Sequence, residues 1–230
     1  MTLRPAEYDP LAFTPLAVTV DVVVLTVLDG LLSVLLAKRA QQPALGSYAL
    51  PGVFVRPDEE LDAAARRAAQ DKAGVAAPVR QFQTFGGVAR DPRMRIVSVG
   101  YMAVVPASVA EAAQTEARRF MRVTDGVVRG ANNRKLALPF DHAEIIAAAA
   151  ADLRRNLDHS AFAFGLLPRE FTLRELQQVH EAVRGQSVNK PAFRKRLLES
   201  GWLEPTGRRE TDKGFRPAEL YTARAEPRVA

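Results

Sequence analysis

The 230-residue sequence predicts an α/β sandwich followed by a winged helix-turn-helix. Three observations predict it. Residues up to about 156 alternate β-branched apolar runs with alanine-rich stretches of helical period. Residues after that give helices followed by two short strands around a polar loop. The basic excess is concentrated in this second part, with nine Lys/Arg against four Asp/Glu between Arg184 and Arg216.

Residues 1–13 are irregular and contain proline, and read as an N-terminal arm. Val18–Leu28 is a buried strand, Asp29–Gly30 a tight turn, and Leu31–Lys38 its hairpin partner. Ala49–Val55 is a short extended segment. A helix starts at Asp58 and runs to Ala73, where Gly74 closes it. Phe82–Val88 and Arg95–Val105 are strands separated by an Arg- and Pro-containing loop. Ala107–Met121 is rich in Ala and Glu and has the weakest pattern. Asp141–Arg155 is a helix with Ile145, Ile146, Ala149 and Leu153 on one face. Domain boundaries follow at 1–156 and 157–230.

In the second part, His159–Leu167 is a short apolar helix ended by Pro168. Thr172 and Glu175 form a capping box that opens a helix ending at Gly185. Asn189 caps a third helix over Lys190–Ser200, with Phe193, Leu197 and Leu198 pointing inward. Trp202–Glu204 and Ala218–Thr222 are strands flanking the polar loop Pro205–Pro217.

Composition narrows the function classes. Hydrophobic residues make up 47% and charged residues 25%, as in an ordinary globular protein. The absence of cysteine excludes disulfides and thiolate metal sites. The longest apolar run, Val22–Leu28, is far too short to span a bilayer. The first ten residues lack the pattern of a signal peptide, so a cytoplasmic location with no membrane association is expected. The net charge of +6 agrees with a polyanionic partner without requiring one.

The segment Leu50–Val75 resembles the Nudix box. Leu50-Pro51-Gly52 enters it, with Val53 where the family usually has glycine; Glu59, Arg67 and Gly74-Val75 keep its frame. A Nudix hydrolase holds a divalent metal on three carboxylates spaced i, i+3 and i+4, which share a face through the 3.6-residue period. Here those positions are Ala68, Asp71 and Lys72. One carboxylate remains, and Lys72 puts positive charge where the cation would bind. No metal site and no catalytic residues are expected, but a pocket shaped for a nucleoside diphosphate can outlast its catalytic metal. Its candidate ligand-binding residues are Arg56 on the box loop, Arg90, Arg93 and Arg95 around the proline turn, and Phe85 and Tyr101 as stacking surfaces.

The third helix of the second part pairs its apolar stripe with Lys190, Arg194, Lys195 and Arg196, a pattern suited to the major groove of duplex DNA. Arg208, Arg209, Lys213 and Arg216 give the following loop the charge of a wing on the phosphate backbone. Thr172, Arg174 and Asn189, at the starts of the two helices, complete the candidate DNA-binding set.

The two parts together resemble the Nudix-related transcriptional regulators, the NrtR family. The likeness is carried in order by Ala17–Asp21, the degenerate box, Phe85-Gly86, Arg90–Arg93, Phe140–Ile146, Phe171–Leu176, Phe193-Arg194 and Arg216–Tyr221. It implies a Nudix-like sandwich joined to a DNA-binding winged helix. It also implies a homodimeric repressor of NAD biosynthesis or salvage genes on a palindromic operator, released by ADP-ribose, with no cofactor required. Two alternatives stand beside it: a regulator of pentose use with another effector, and a divergent active Nudix hydrolase. His142, at a helix start, reads as a packing or capping residue.

Overall fold

The computed structural model describes residues 14–130, 132–158, 160–210 and 217–227. The expected arm, residues 1–13, lies outside them. Strand β1 (Ala17–Leu28) runs into β2 (Leu31–Lys38) through Asp29 and Gly30, both with positive φ, the conformation a two-residue hairpin requires. The expected single extended segment is split by Pro51 into β3 (Tyr48–Ala49) and β4 (Gly52–Phe54). β3 pairs with β2 and β4 with β1, so the chain crosses from one strand to the next at the proline.

Helix α1 (Leu61–Ala68) begins three residues later than expected, because Glu59 folds back onto the preceding loop instead of entering the helix. The next turn, Ala69–Ala73, is π-helical and ends on Gly74 in the left-handed conformation. The uniform helical period assumed for the box therefore stops at Ala68. β5 (Val79–Phe85) lies three residues earlier than predicted, and β6 (Ile96–Val104) is close to its expected place. The weak stretch 107–121 divides into α2 (Ala107–Ala113) and the start of β7 (Arg118–Thr124), followed by β8 (Val127–Arg129). Arginines at 118, 119 and 122 hide the strand alternation there.

The sheet order is β5-β6-β1-β2-β7-β8, antiparallel except for the parallel β1/β6 pair. Because side chains alternate along a strand, β1 feeds two cores. Val20, Val22 and Val24 meet Ala64, Ala65, Ala68 and Ala69 of the α1 segment and Ala110 of α2 on one face. Val23 and Leu25 meet Ile145, Ile146, Ala149 and Leu153 of α3 (His142–Asn156) on the other. Alanine is what lets α1 lie close to the sheet.

A 3-10 turn over Ala161–Leu166 follows, then β9 (Phe171–Thr172), α4 (Leu173–Arg184), α5 (Lys190–Glu199), β10 (Leu203–Arg209) and β11 (Glu219–Ala223). The capping box at α4 forms as expected: the Glu175 amide donates to Thr172 Oγ1 (3.2 Å), and the Thr172 amide to Glu175 Oε2 (2.8 Å). Asn189 Oδ1 accepts from the Ala192 amide at the start of α5. β9 adds a third strand to the expected ribbon, giving the order β10-β11-β9. Leu166, Phe171, Leu176, Val183 and Phe193 belong to the same continuous apolar cluster as α3, so the winged helix packs directly on the sandwich.

Candidate functional site

A cleft of about 600 Å³ opens where β1, β4, the loop after β2, the loop before β6 and the start of α3 converge. Its floor is a buried charge network. Asp21 on β1 accepts from Ser98 Oγ (2.6 Å) and from Arg90 Nη2 (3.2 Å). Arg90 also donates through Nε and Nη2 to the two oxygens of Asp141, at 2.7 Å each. His142 Nδ1 accepts the Leu50 amide at 3.0 Å, so its proton sits on Nε2, 3.7 Å from Asp21 Oδ1. Burial pushes the imidazole below its ordinary pKa, against the pull of Asp21, and keeps it neutral. Gly52 is required by close approach: a Cβ there would lie 2.3 Å from Asp21 Oδ1.

The rim is cationic and aromatic. Arg93 is held by Asp91 through Nε (2.9 Å) and Nη2 (2.7 Å), and lies 5.4 Å from the Phe54 ring centroid and 5.9 Å from that of Phe140. Arg39 lies 4.9 Å from the Phe140 centroid. Phe140 has φ of 58°, a left-handed conformation uncommon for a bulky residue. On the α1 wall, Arg67 donates to both oxygens of Glu59 (2.7 and 2.6 Å) and to the Phe54 carbonyl (3.0 Å). Glu59 accepts the Arg56 amide as well (3.2 Å), and these bonds hold its carboxyl down at about 2. The two residues that best preserve the Nudix frame thus serve as a clamp on the box loop.

Arg56, Arg90 and Arg93 line the cleft as expected, although Arg90 is committed to Asp141 and Asp21 in its floor. Three expectations need correction. Phe85 is buried in the α3-side core. Tyr101 is buried in the α1-side core and donates to Asp62 (2.6 Å). Arg95 donates to the Gly87 carbonyl, and none of the three lines the cleft. The cleft aromatics are instead Phe54 and Phe140, joined by Lys38, Arg39 and Lys72. The Arg39 and Phe140 positions lack a local sequence signal, since only the fold brings these residues, a hundred positions apart, together.

The box positions do not fit a divalent metal. Ala68 offers no oxygen and its methyl is fully buried, while Asp71 and Lys72 are exposed beside each other on the π turn. A hard cation needs several oxygen ligands.

On the winged helix, Lys190, Arg194, Lys195 and Arg196 are exposed along α5, while Phe193 and Leu197 are buried beneath them. Leu198 is 53% exposed, a correction to its expected inward position: it lies one step of about 100° round the helix from Leu197. Thr172 is also corrected, because it is buried and its hydroxyl is used within the capping box. Arg174, Asn189, Arg208 and Arg209 are exposed, with Arg208 paired to Glu170. Lys213 and Arg216 lie outside the described residues. Arg196 reaches Asp158, just beyond α3, at 3.3 Å, where Arg184 is also held.

A three-layer sandwich with a cationic cleft, packed against a winged helix that exposes a basic helix, defines the class. Residues 15–147 match the Nudix domain and residues 163–223 the NrtR DNA-binding winged helix domain. The ADPR responsive transcriptional repressor NtrR of Acinetobacter baylyi is 34% identical over 221 residues, covering 94% of this chain and 85% of that relative. Shewanella oneidensis NrtR, crystallised with a 27mer DNA, superposes with a TM-score of 0.79 at 32% identity, over 90% of this chain and 94% of that one. A MutT/nudix family protein from Enterococcus faecalis shares the fold at 21% identity (TM-score 0.73, 96% and 89% of the two chains). The chain belongs to the NrtR family of Nudix-related transcriptional regulators.

Proposed function

We propose that this chain is a DNA-binding repressor of NAD biosynthesis or salvage genes, released from its operator when ADP-ribose occupies the cleft. The carrying observation is that one chain couples a cationic, aromatic-rimmed cleft of about 600 Å³ to an exposed basic helix through a shared apolar core. Residues 1–156 form the sensing unit and 157–230 the DNA-binding unit. Lys190, Arg194, Lys195 and Arg196 face the major groove, with Arg174 and Asn189 at the helix starts and Arg208 and Arg209 on the wing strand meeting phosphates. In the cleft, Arg39, Arg56 and Arg93 meet the diphosphate, and Phe54 or Phe140 stacks on the base.

The sensing unit is a binder and not an enzyme, because the donor set at Ala68, Asp71 and Lys72 cannot hold the metal that would activate water. The repressor acts in the cytoplasm as a homodimer, so its operator has two-fold symmetry. The relative's ADPR responsiveness supports the choice of effector. A gel shift of the promoter complex titrated with ADP-ribose, NAD and free pentoses tests the reading. Release by ADP-ribose is expected; release by a pentose with no response to ADP-ribose would assign the chain to another regulon.

A further inference from the structure

The charges around the cleft balance unevenly. Seven cationic side chains line it, and three of them are matched: Arg67 by Glu59, Arg90 by Asp141 and Asp21, and Arg93 by Asp91. Lys38 lies over the Tyr48 ring. Among the described residues, Arg39, Arg56 and Lys72 have no carboxylate within ion-pair distance. Arg39 is turned to the Pro43 carbonyl and the Phe140 ring, on the side of the cleft formed by the loop after β2. Arg56, just after β4, and Lys72, on the π turn that follows α1, line the cleft together with Arg67, whose clamp on Glu59 fixes the box loop to α1. Lys72 thus places an unmatched positive charge at one of the box positions whose donors do not fit a metal.

We propose that Lys72, with Arg56, forms a metal-independent seat for a diphosphate ester, the Lys72 ammonium supplying within the chain the positive charge that a divalent cation would otherwise bring. The inference rests on the reading of the cleft as an ADP-ribose site and deepens it. An ammonium is a compact charge with three donors on a flexible stem, well suited to bridging oxygens of two phosphates. A carboxylate at position 72 would repel the same ligand unless a metal intervened. The site is therefore built to retain the diphosphate and not to polarise it for cleavage.

Calorimetry of ADP-ribose binding to the full chain, in EDTA and in Mg²⁺, tests this. The wild type is expected to bind equally in both buffers. Lys72→Met should weaken binding by about ten- to a hundredfold, the range for a charge-assisted hydrogen bond, and Lys72→Arg should recover most of the loss. Lys72 is exposed, so an unchanged urea midpoint will confirm that Lys72→Met folds. Wild-type binding that disappears in EDTA, or an unchanged affinity in Lys72→Met, overturns the inference while leaving the cleft an ADP-ribose site. No ADP-ribose binding by the wild type in either buffer overturns the reading of the cleft itself, and this inference with it.

Discussion

Arg90 donates to both carboxylate oxygens of Asp141, at 2.7 Å each, and so ties the loop between β5 and β6 to the first turn of α3. The same guanidinium reaches Asp21 on β1, and its side chain is only 5% exposed. The cleft floor is thus one buried cation between two carboxylates. Its members come from three distant parts of the chain. Removing the cation should leave two buried carboxylates without their main partner. Arg90→Met is expected to destabilise the fold by about 3–5 kcal/mol, the range for breaking a buried pair. Arg90→Lys should fall between, since it keeps the charge but loses the two-pronged geometry. Urea midpoints of the three proteins check this; equal midpoints would show that the network contributes nothing.

Gly52 gives a second test. A methyl group there would press on Asp21 Oδ1 at 2.3 Å and on the Val20 carbonyl at 3.0 Å. Gly52→Ala should displace Asp21 and loosen its bond from Ser98, costing about 1–3 kcal/mol as overpacking does. ADP-ribose affinity should fall together with the urea midpoint. Unchanged values for both would mean that the box loop yields freely.

The recognition helix makes a graded prediction. Arg196 is engaged by Asp158, whereas Arg194 has no ion pair among the described residues and Lys195 only a 4.0 Å contact with Glu199. Arg196 must leave a carboxylate to reach a phosphate, so its net gain on binding is smaller. Arg194→Gln should therefore weaken duplex binding more than Arg196→Gln. Replacing Arg194, Lys195 and Arg196 together should abolish specific binding, and each lost phosphate contact should reduce the slope of log affinity against log salt by about 0.9. Specific binding that survives the triple replacement would place the DNA interface elsewhere.

Acid should destabilise the junction between the units. Burial lowers the His180 pKa from 6.5 to about 4, despite Asp158 at 3.6 Å; Arg184 and Arg196 push the same way as burial, and Glu181 against it. The folded state keeps His180 neutral, while the unfolded chain takes up a proton near 6.5. The stability this provides is complete above pH 6.5 and is lost progressively as pH falls toward 4, by up to about 3 kcal/mol. His142, also held neutral by burial, adds to the same slope. Urea titrations from pH 7.5 to about 4.5 should show a falling midpoint, and His180→Gln should flatten the fall. A midpoint that rises on acidification would contradict both assignments.

What the sequence made legible was local. Hairpin turn, capping box, Asn189 cap and glycine stops are decided within a few residues, and each stands where it was expected. The missing box carboxylates are visible for the same reason. The cleft was not legible at this level. Arg39, Phe54 and Phe140 meet only through the sheet, and Phe85 and Tyr101 resemble stacking residues until burial shows them to be core. The strand β7 was obscured by arginines at positions where a periodic pattern expects alternation. Arg90 was identified as cleft-lining, but the partners that commit it lie 51 and 69 residues away.

The central claim is that occupancy of the cleft, without chemistry, controls the basic helix. Fluorescence anisotropy of a labelled operator duplex bound by the full chain, titrated with ADP-ribose in EDTA, tests it most directly. A saturable fall to the value of free duplex, reversed when ADP-ribose is dialysed out unaltered, is the predicted result. An anisotropy that stays constant at saturating ADP-ribose, or that falls only when Mg²⁺ is present and the ADP-ribose is consumed, would contradict it.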